Sequence, residues 1–197
     1  MATKKKTARE PERKPRADAE RNRELLLETA KAVFAAKGAG ASLEEIARQA
    51  GLGIGTLYRH FPTRDALIEA VFRADVEQLV AAAERLMLEQ SPVEALRSWL
   101  SLMIEHLATK RGGMGTALQS LTGGTTQLYA ASTSSMEKTV TRLIDRAVAH
   151  GELRCEMPPL DLLRAIAGVA HIGNGPGWRK SATQLVDVLI AGMRRVS

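Results

Sequence analysis

The sequence predicts an all-α protein of about nine helices. Apolar residues recur at three- and four-residue spacings in nearly every long segment, Gly and Pro gather at the joins, and no stretch alternates convincingly as a half-buried strand would. With 197 residues, 45% of them hydrophobic, the chain can bury a sizeable core.

The elements follow in order. Leu26, Ala30, Val33 and Phe34 line one face of a first helix, which Gly38 ends as a C-cap. Ser42 caps a second helix, with Glu45 as the returning half of a capping box; Leu43, Ile46, Ala47 and Ala50 form its apolar face and Gly51 ends it. Ile54, Leu57, Tyr58 and Phe61 repeat the period in a third, which Pro62 breaks. Thr63 caps a long fourth helix carrying Ile68, Val71, Phe72, Leu79, Val80, Ala83 and Leu86 as far as Ser91-Pro92. Ser91 caps the fifth, with Pro92 in its first turn and Val93, Leu96, Trp99, Leu100, Met103, Ile104 and Leu107 on one face until Arg111-Gly112-Gly113. A short sixth is expected over 115–121, and a seventh over 127–150 with Met136, Val140, Leu143, Ile144 and Ala147 inward. An eighth covers 160–172 behind Pro158-Pro159, and a ninth covers 182–196 beyond a glycine-rich loop at 173–177.

Charge divides the chain unevenly. Of the 28 Lys/Arg and 22 Asp/Glu, residues 1–64 hold 14 and 8, and the remainder 14 and 14, so the first third carries the whole net charge of +6. A polyanion-binding end joined to an electrically balanced body fits this division. Residues 1–20, with seven Lys/Arg, two prolines and no apolar period, read as a disordered basic arm. Residues 21–66 divide off as a short basic unit and 67–197 as a larger, electrically balanced helical body. No run approaches the roughly 18 apolar residues of a membrane span, and the basic N-terminus has no apolar segment behind it as a secretory signal would. The single Cys155 fits a reducing compartment, so a cytoplasmic location is expected.

The stretch AGLGIGTLYRHFP, residues 50–62, separates two classes of function. A nucleotide-binding loop needs a preceding strand and either G-x-G-x-x-G or G-x-x-x-x-G-K-[ST]; here Gly51, Gly53 and Gly55 follow a helix at G-x-G-x-G spacing. Two short helices joined around Gly51-Leu52-Gly53 instead have the proportions of a helix-turn-helix, whose second helix enters the major groove. Gly55 allows close approach to DNA, Thr56 offers a hydroxyl and a methyl, and Tyr58 and His60 can donate to phosphate. Arg64, at the start of the fourth helix, adds a cation beside free backbone N–H groups.

The segment from about Arg23 to Val71, above all SLEEIARQAGLGIGTLYRHFPTRDALIEAV, resembles the DNA-binding domain of the TetR family of bacterial transcriptional regulators. The resemblance implies an all-helical homodimer that binds an operator, usually as a repressor released by a small molecule, with its last two helices forming a four-helix dimer interface. The candidate DNA-contacting residues are Ser42, Gly53, Ile54, Gly55, Thr56, Tyr58, Arg59, His60 and Arg64. Two of these depart from the family's commoner pattern. Gly53 stands where many relatives have Ser, and the usually polar variable position holds Ile54, which can touch a thymine methyl at best and is expected to pack in the core. Readout then shifts toward DNA shape and Arg59.

Trp99, Met103, His106, Met114, Leu118, Gln119, Leu121, Gln127 and Tyr129 are the candidates for an effector pocket, apolar walls with a few polar groups. The hydroxyl-rich run 122–135 reads either as a segment that orders with ligand or as a loosely wound helix start. An enzyme and a sequence-nonspecific DNA-binding protein are the competing classes. The four histidines lack metal-ligand spacing, no cofactor is implied, and the cluster of His150, Glu152, Cys155 and Glu156 reads as ordinary loop polarity. Apolar residues cover more of the last two helices than one packing stripe needs. Leu162, Ile166, Gly168, Val169, Leu185, Leu189, Gly192 and Met193 are therefore expected at a homodimer interface, where the small residues permit close helix approach.

Overall fold

The computed structural model describes residues 13–121, 125–172 and 177–194. Among them nine α-helices follow in order: α1 (Arg13–Lys37), α2 (Leu43–Gln49), α3 (Ile54–His60), α4 (Arg64–Glu89), α5 (Pro92–Arg111), α6 (Gly113–Gln119), α7 (Thr125–Ala149), α8 (Pro159–Ile172) and α9 (Trp178–Met193). A 3-10 turn, Gly38–Gly40, joins α1 to α2. The only extended pairing among the described residues is the bridge Leu153–Arg194, where the loop after α7 meets the end of α9 and the Arg154 amide donates to the Met193 carbonyl at 2.7 Å.

The predicted caps form with one change. Ser42 Oγ accepts from the Glu45 amide at 3.1 Å, and Thr63 Oγ1 accepts from the Ala66 amide at 3.0 Å. Glu45 does not close the capping box. Its carboxylate accepts from Lys37 Nζ at 2.7 and 2.8 Å, a charge-assisted contact that outcompetes a neutral amide and ties the end of α1 to α2. Gly51 has φ +68°, the left-handed geometry that ends a helix at low cost only for glycine.

One apolar core runs through the described residues from Leu26 to Met193. Leu26 and Phe34 of α1, Ile46 of α2, Leu57 of α3 and Leu67 and Ile68 of α4 are sealed within it. Each such side chain contributes about 2 kcal/mol by leaving water, which fixes the angle between α2 and α3.

The helix bounds differ from the sequence expectation in four places. α1 begins at Arg13, within the stretch 1–20 expected to be a disordered arm; residues 1–12 lie outside those described. The segment 17–21, ADAER, consists of helix-compatible residues and pairs Asp18 with Arg21 one turn on, so it extends the helix without an apolar face. α6 and α7 each start two residues early, and α9 starts at Trp178, which packs on the core. α4 also passes unbroken through residue 66, where the sequence reading divides the chain, so the two units share a helix.

Two sets of contacts hold the N-terminal unit to the rest. In the first, α6 meets the end of α1 backbone to backbone: a Cβ on Gly113 would lie 2.1 Å from the Phe34 carbonyl oxygen and 2.7 Å from that of Ala35. Gly38, at φ +57°, turns the chain away beside it, and the Ala39 amide donates to Thr116 Oγ1 at 3.3 Å. The Arg64 guanidinium then donates to the carbonyls of Ala41 and, at 2.8 Å, Ala39, and lies 5.3 Å from the Phe34 ring centroid. In the second, Asp75 of α4 accepts from Lys31 Nζ of α1 at 2.5 Å and bonds His106 Nδ1 of α5 at 2.5 Å. Burial pushes the Asp75 carboxyl up, but the His106 and Lys31 hydrogen bonds together outweigh it and hold the group at about 2, against an ordinary 3.8.

Two outcomes are expected. Because the Asp75 carboxyl is depressed on folding, its contribution is complete above the ordinary value of 3.8 and is lost as pH falls toward about 2. Asp75→Asn should therefore cost roughly 2 kcal/mol at neutral pH in urea denaturation, with the gap to the parent closing on acidification; a gap independent of pH would remove the ion pair as its source. Arg64→Met should lower stability by about 1–3 kcal/mol by orphaning carbonyls at the junction, and an unchanged melting temperature would show the clamp to be idle.

Candidate nucleic-acid interface and effector cavity

The helix-turn-helix is built by α2 and α3 around Gly51 and Leu52. Leu57 and Phe61, three and four apart with their neighbours on the inner face of α3, are buried, and this forces the intervening positions outward. Tyr58 is 45% exposed and Arg59 is exposed beside it, while Thr56 and His60 are half-buried. Gly53 caps α3 in an extended conformation with no side-chain bond, and no heavy atom lies within 4 Å of where a Cβ on Gly53 or Gly55 would stand. This open backbone surface is what close approach to a phosphate chain needs.

Two DNA-facing candidates sit differently from expectation, and a third, Ser42, caps α2 as the sequence predicts. Ile54 is not packed in the core: it opens α3 and is 38% exposed, because the apolar stripe of so short a helix begins at Leu57. Arg64 is turned away from the α3 surface, its guanidinium spent on the carbonyls of the 3-10 turn, so its side chain is a structural clamp. Ser42 is exposed, but its hydroxyl accepts the α2 cap bond. A further cation, Arg23 of α1, lies 5.7 Å from the Phe61 ring centroid at the edge of the same unit and was not singled out by any motif.

The body holds a cavity of about 180 Å3 bounded by α4, α5, α7 and α8. Val76, Met103, Met136, Leu160 and Leu163 give it apolar walls; His106, Tyr129, Ser132, Thr133 and Arg164 are its polar members. Of the expected pocket residues, Met103, His106 and Tyr129 meet here. Met114 lines a separate opening between α1, α4 and α6. Trp99 does not line the cavity: it is fully buried, with its indole Nε1 donating to the Leu79 carbonyl at 2.9 Å, so it ties α5 to α4. Leu118 is likewise core, Gln119 and Gln127 point to solvent, and Leu121 packs half-buried against the core. Burial raises the Tyr129 phenol above its usual range, which keeps it a hydrogen-bond donor, and its ring meets Phe72 edge-on at 5.6 Å. Met136 of α7 and Leu160, Leu163 and Arg164 of α8 were not singled out for the cavity, because their signal lay in two amphipathic helices meeting, which no local motif marks.

On α8 and α9 the outward stripe is narrower than expected. Leu162 and Ile166 of α8 and Met193 of α9 are buried within the protomer, where α8 and α9 pack on each other and on α5. Val169, Leu185 and Leu189 are half-buried, Gly168 and Gly192 have open space where a Cβ would stand, and Val188 is 66% exposed among them. Of the described residues, no three His, Cys, Asp or Glu stand together as a metal site, and no helix is long and apolar enough to cross a membrane.

Residues 26–71 match the family described as bacterial regulatory proteins, tetR family, and residues 91–195 match the C-terminal domain of SbtR-like transcriptional regulators. A TetR transcriptional regulator, SCO0520, from Streptomyces coelicolor is 40% identical, with a TM-score of 0.78 over 89% of this chain and 99% of that one. A TetR regulator from Mycobacterium vanbaalenii is 31% identical, with a TM-score of 0.75 over 92% and 99%. Among curated relatives, an HTH-type transcriptional regulator of Staphylococcus aureus is 34% identical over 83 residues, and the match spans 43% of its length. The nucleoid occlusion factor SlmA of a Marinomonas species is 26% identical over 158 residues, 79% of this chain and 76% of that one. An exposed reading helix on a three-helix core, continuous through α4 with a cavity-bearing helical body, is thus found with matches along both parts of the sequence: the chain belongs to the TetR family of bacterial transcriptional regulators.

Proposed function

We propose that this protein is a cytoplasmic repressor that binds a roughly palindromic operator as a homodimer and is released from it by a small molecule. The outward face of α3 carries this reading, with Tyr58 and Arg59 exposed beside an unobstructed Gly53–Gly55 backbone. Tyr58 donates to a phosphate, Thr56 and Arg59 are the groups that can reach base edges, and Ile54 supplies an apolar contact to a thymine methyl. The first-turn amides of α4 supply a second phosphate contact in place of the Arg64 side chain. The outward residues of α8 and α9, Val169, Leu185, Val188 and Leu189 with Gly168 and Gly192 between them, meet their copies across a twofold axis. That axis sets the two reading helices about one DNA turn apart.

Release follows from the shared helix. The cavity touches α4 at Val76, and the adjacent Asp75 holds Lys31 of α1, so a ligand that displaces α4 moves both helices on which the helix-turn-helix rests.

In vitro selection from random duplexes should return a site with twofold symmetry. On that site, Tyr58→Phe should weaken binding by about 1–2 kcal/mol with melting temperature unchanged, while full retained affinity in anisotropy titrations would take Tyr58 out of the contact. Val188→Arg should yield monomers by light scattering, at no cost to the protomer core, and lose the specific complex with dimerisation. A Val188→Arg protein that remains dimeric with full operator affinity would place the interface elsewhere.

A further inference from the structure

Where α1, α4 and α6 converge, α1 presents small side chains. Ala32 and Ala35 stand on the stripe of α1 that also carries Glu28 and Lys31, and they leave open a crevice of about 320 Å3 whose other walls are Val71 and Phe72 of α4 and Met114 of α6. Val71, Phe72 and Met114 are buried and give an apolar floor; the two alanines are exposed at the mouth. Met114 follows directly on Gly113, whose contact with the Phe34 and Ala35 carbonyls draws α6 against α1. The crevice therefore lies beside the junction between the N-terminal unit and the body, and it shares no lining residue with the cavity bounded by α4, α5, α7 and α8.

Its polar end is closed on itself. Lys31 Nζ donates to Asp75 Oδ1 at 2.5 Å and to Gln78 Oε1 at 3.4 Å, Gln78 Nε2 donates to Glu28 Oε1 at 3.3 Å, and Asp75 Oδ2 bonds His106 Nδ1. Glu28, Lys31 and Asp75 are the charged residues that line the crevice among those described, and each has a partner in this chain of bonds. An anion entering here meets two carboxylates. A cation meets the Lys31 ammonium and gains only Glu28, which is exposed at the mouth and screened by water. An uncharged molecule leaves the whole chain of bonds in place.

We propose that this crevice is a second small-molecule site, which takes an uncharged, apolar molecule and braces α1 against α4 and α6. Its volume lies within the roughly 300–1,000 Å3 of small-molecule pockets, and at interior packing density it holds about sixteen non-hydrogen atoms, the size of three linked or fused rings. The driving force is apolar surface removed from water on both sides. A ligand that touches three helices at once stabilises the arrangement in which they converge. In that arrangement Gly113 is seated on α1, so the ligand opposes the displacement of α4 on which release depends and tightens the hold on the operator. This effect on the operator, unlike the site itself, rests on the ligand-released reading above.

N-Phenyl-1-naphthylamine is uncharged, has the size the crevice holds and brightens on leaving water; 8-anilino-1-naphthalenesulfonate is the same skeleton with a sulfonate added. Both are titrated by fluorescence against the full chain, and the uncharged probe is then added to the protein on its selected operator. The uncharged probe should bind at least about tenfold tighter than the sulfonate, which brings a charge to a site with no counter-charge for it. Ala32→Met with Ala35→Met fills the crevice at exposed positions with a good helix former, and should weaken the uncharged probe at least about tenfold while leaving the melting temperature of the free protein no lower. Thr133→Trp, which fills the body cavity instead, should leave that binding unchanged. Undiminished binding by the double variant, loss of binding in Thr133→Trp, or a sulfonate that binds as tightly as the amine overturns the site. With the site upheld, operator affinity should rise about fivefold at saturating probe; affinity that is unchanged or lower overturns the brace. Probe binding that follows this pattern in a protein that selects no operator upholds the site and overturns the repressor reading alone.

Discussion

The contact on which the rest of the arrangement depends is the approach of Gly113 to the last turn of α1. The N-terminal end of α6 rests directly on the Phe34 and Ala35 carbonyls, a placement that a single methyl group on residue 113 would forbid. Helix dipoles favour it, since the positive end of one helix meets the negative end of another. Gly38 at φ +57° lets the chain leave the junction, and Arg64 then occupies the carbonyls that the 3-10 turn leaves over. Three segments distant in sequence are thus fixed by main-chain close approach and by hydrogen bonds to main-chain groups, which are more directional than apolar packing.

α4 adds the second constraint. It begins at the helix-turn-helix surface and reaches the cavity at Val76, twelve residues on and so about 18 Å away along a straight helix. Between these points it holds Lys31 and His106 through Asp75. A half-buried charge with two partners resists sliding more than an apolar contact does, because either partner leaving exposes an uncompensated ion. The N-terminal unit therefore follows the body through a stiff rod, and displacement at one end is felt at the other.

The fold class was legible because helical periodicity is long-range redundant: each of the long helices repeats its apolar face several times, so an error at one position changes nothing. Caps at Ser42, Thr63 and Gly51 were equally legible, each being a local chemical event between residues three or so apart. What sequence could not supply was the choice among partners. Arg64 reads as a phosphate ligand until Ala39 and Ala41 are folded beside it, and Trp99 reads as a pocket wall until Leu79 takes its N–H. Leu162 and Ile166 read as interface residues by the same logic, because amphipathic width says that two faces are covered but not which is covered by the chain itself. Ile54 failed in the opposite direction: its apolar character pointed inward, while the position at the start of α3 left it at the surface.

That exposed isoleucine bears on how affinity is set. A reading helix that opens with Gly53, Ile54 and Gly55 presents few groups able to hydrogen-bond a base, and Arg59 is its one planar, bidentate donor. In the proposed homodimer, discrimination among sequences then comes largely from groove shape and from the distance between the two reading helices on one duplex. The phosphate contacts proposed for Tyr58 and the helix amides are sensitive to that distance, since a hydrogen bond weakens steeply beyond its normal length. A regulator built this way does not need its reading helix unfolded or covered to leave DNA. In the homodimer proposed above, a small rotation carried by α4 through the Gly113 junction of each protomer would take the two sets of contacts out of register together.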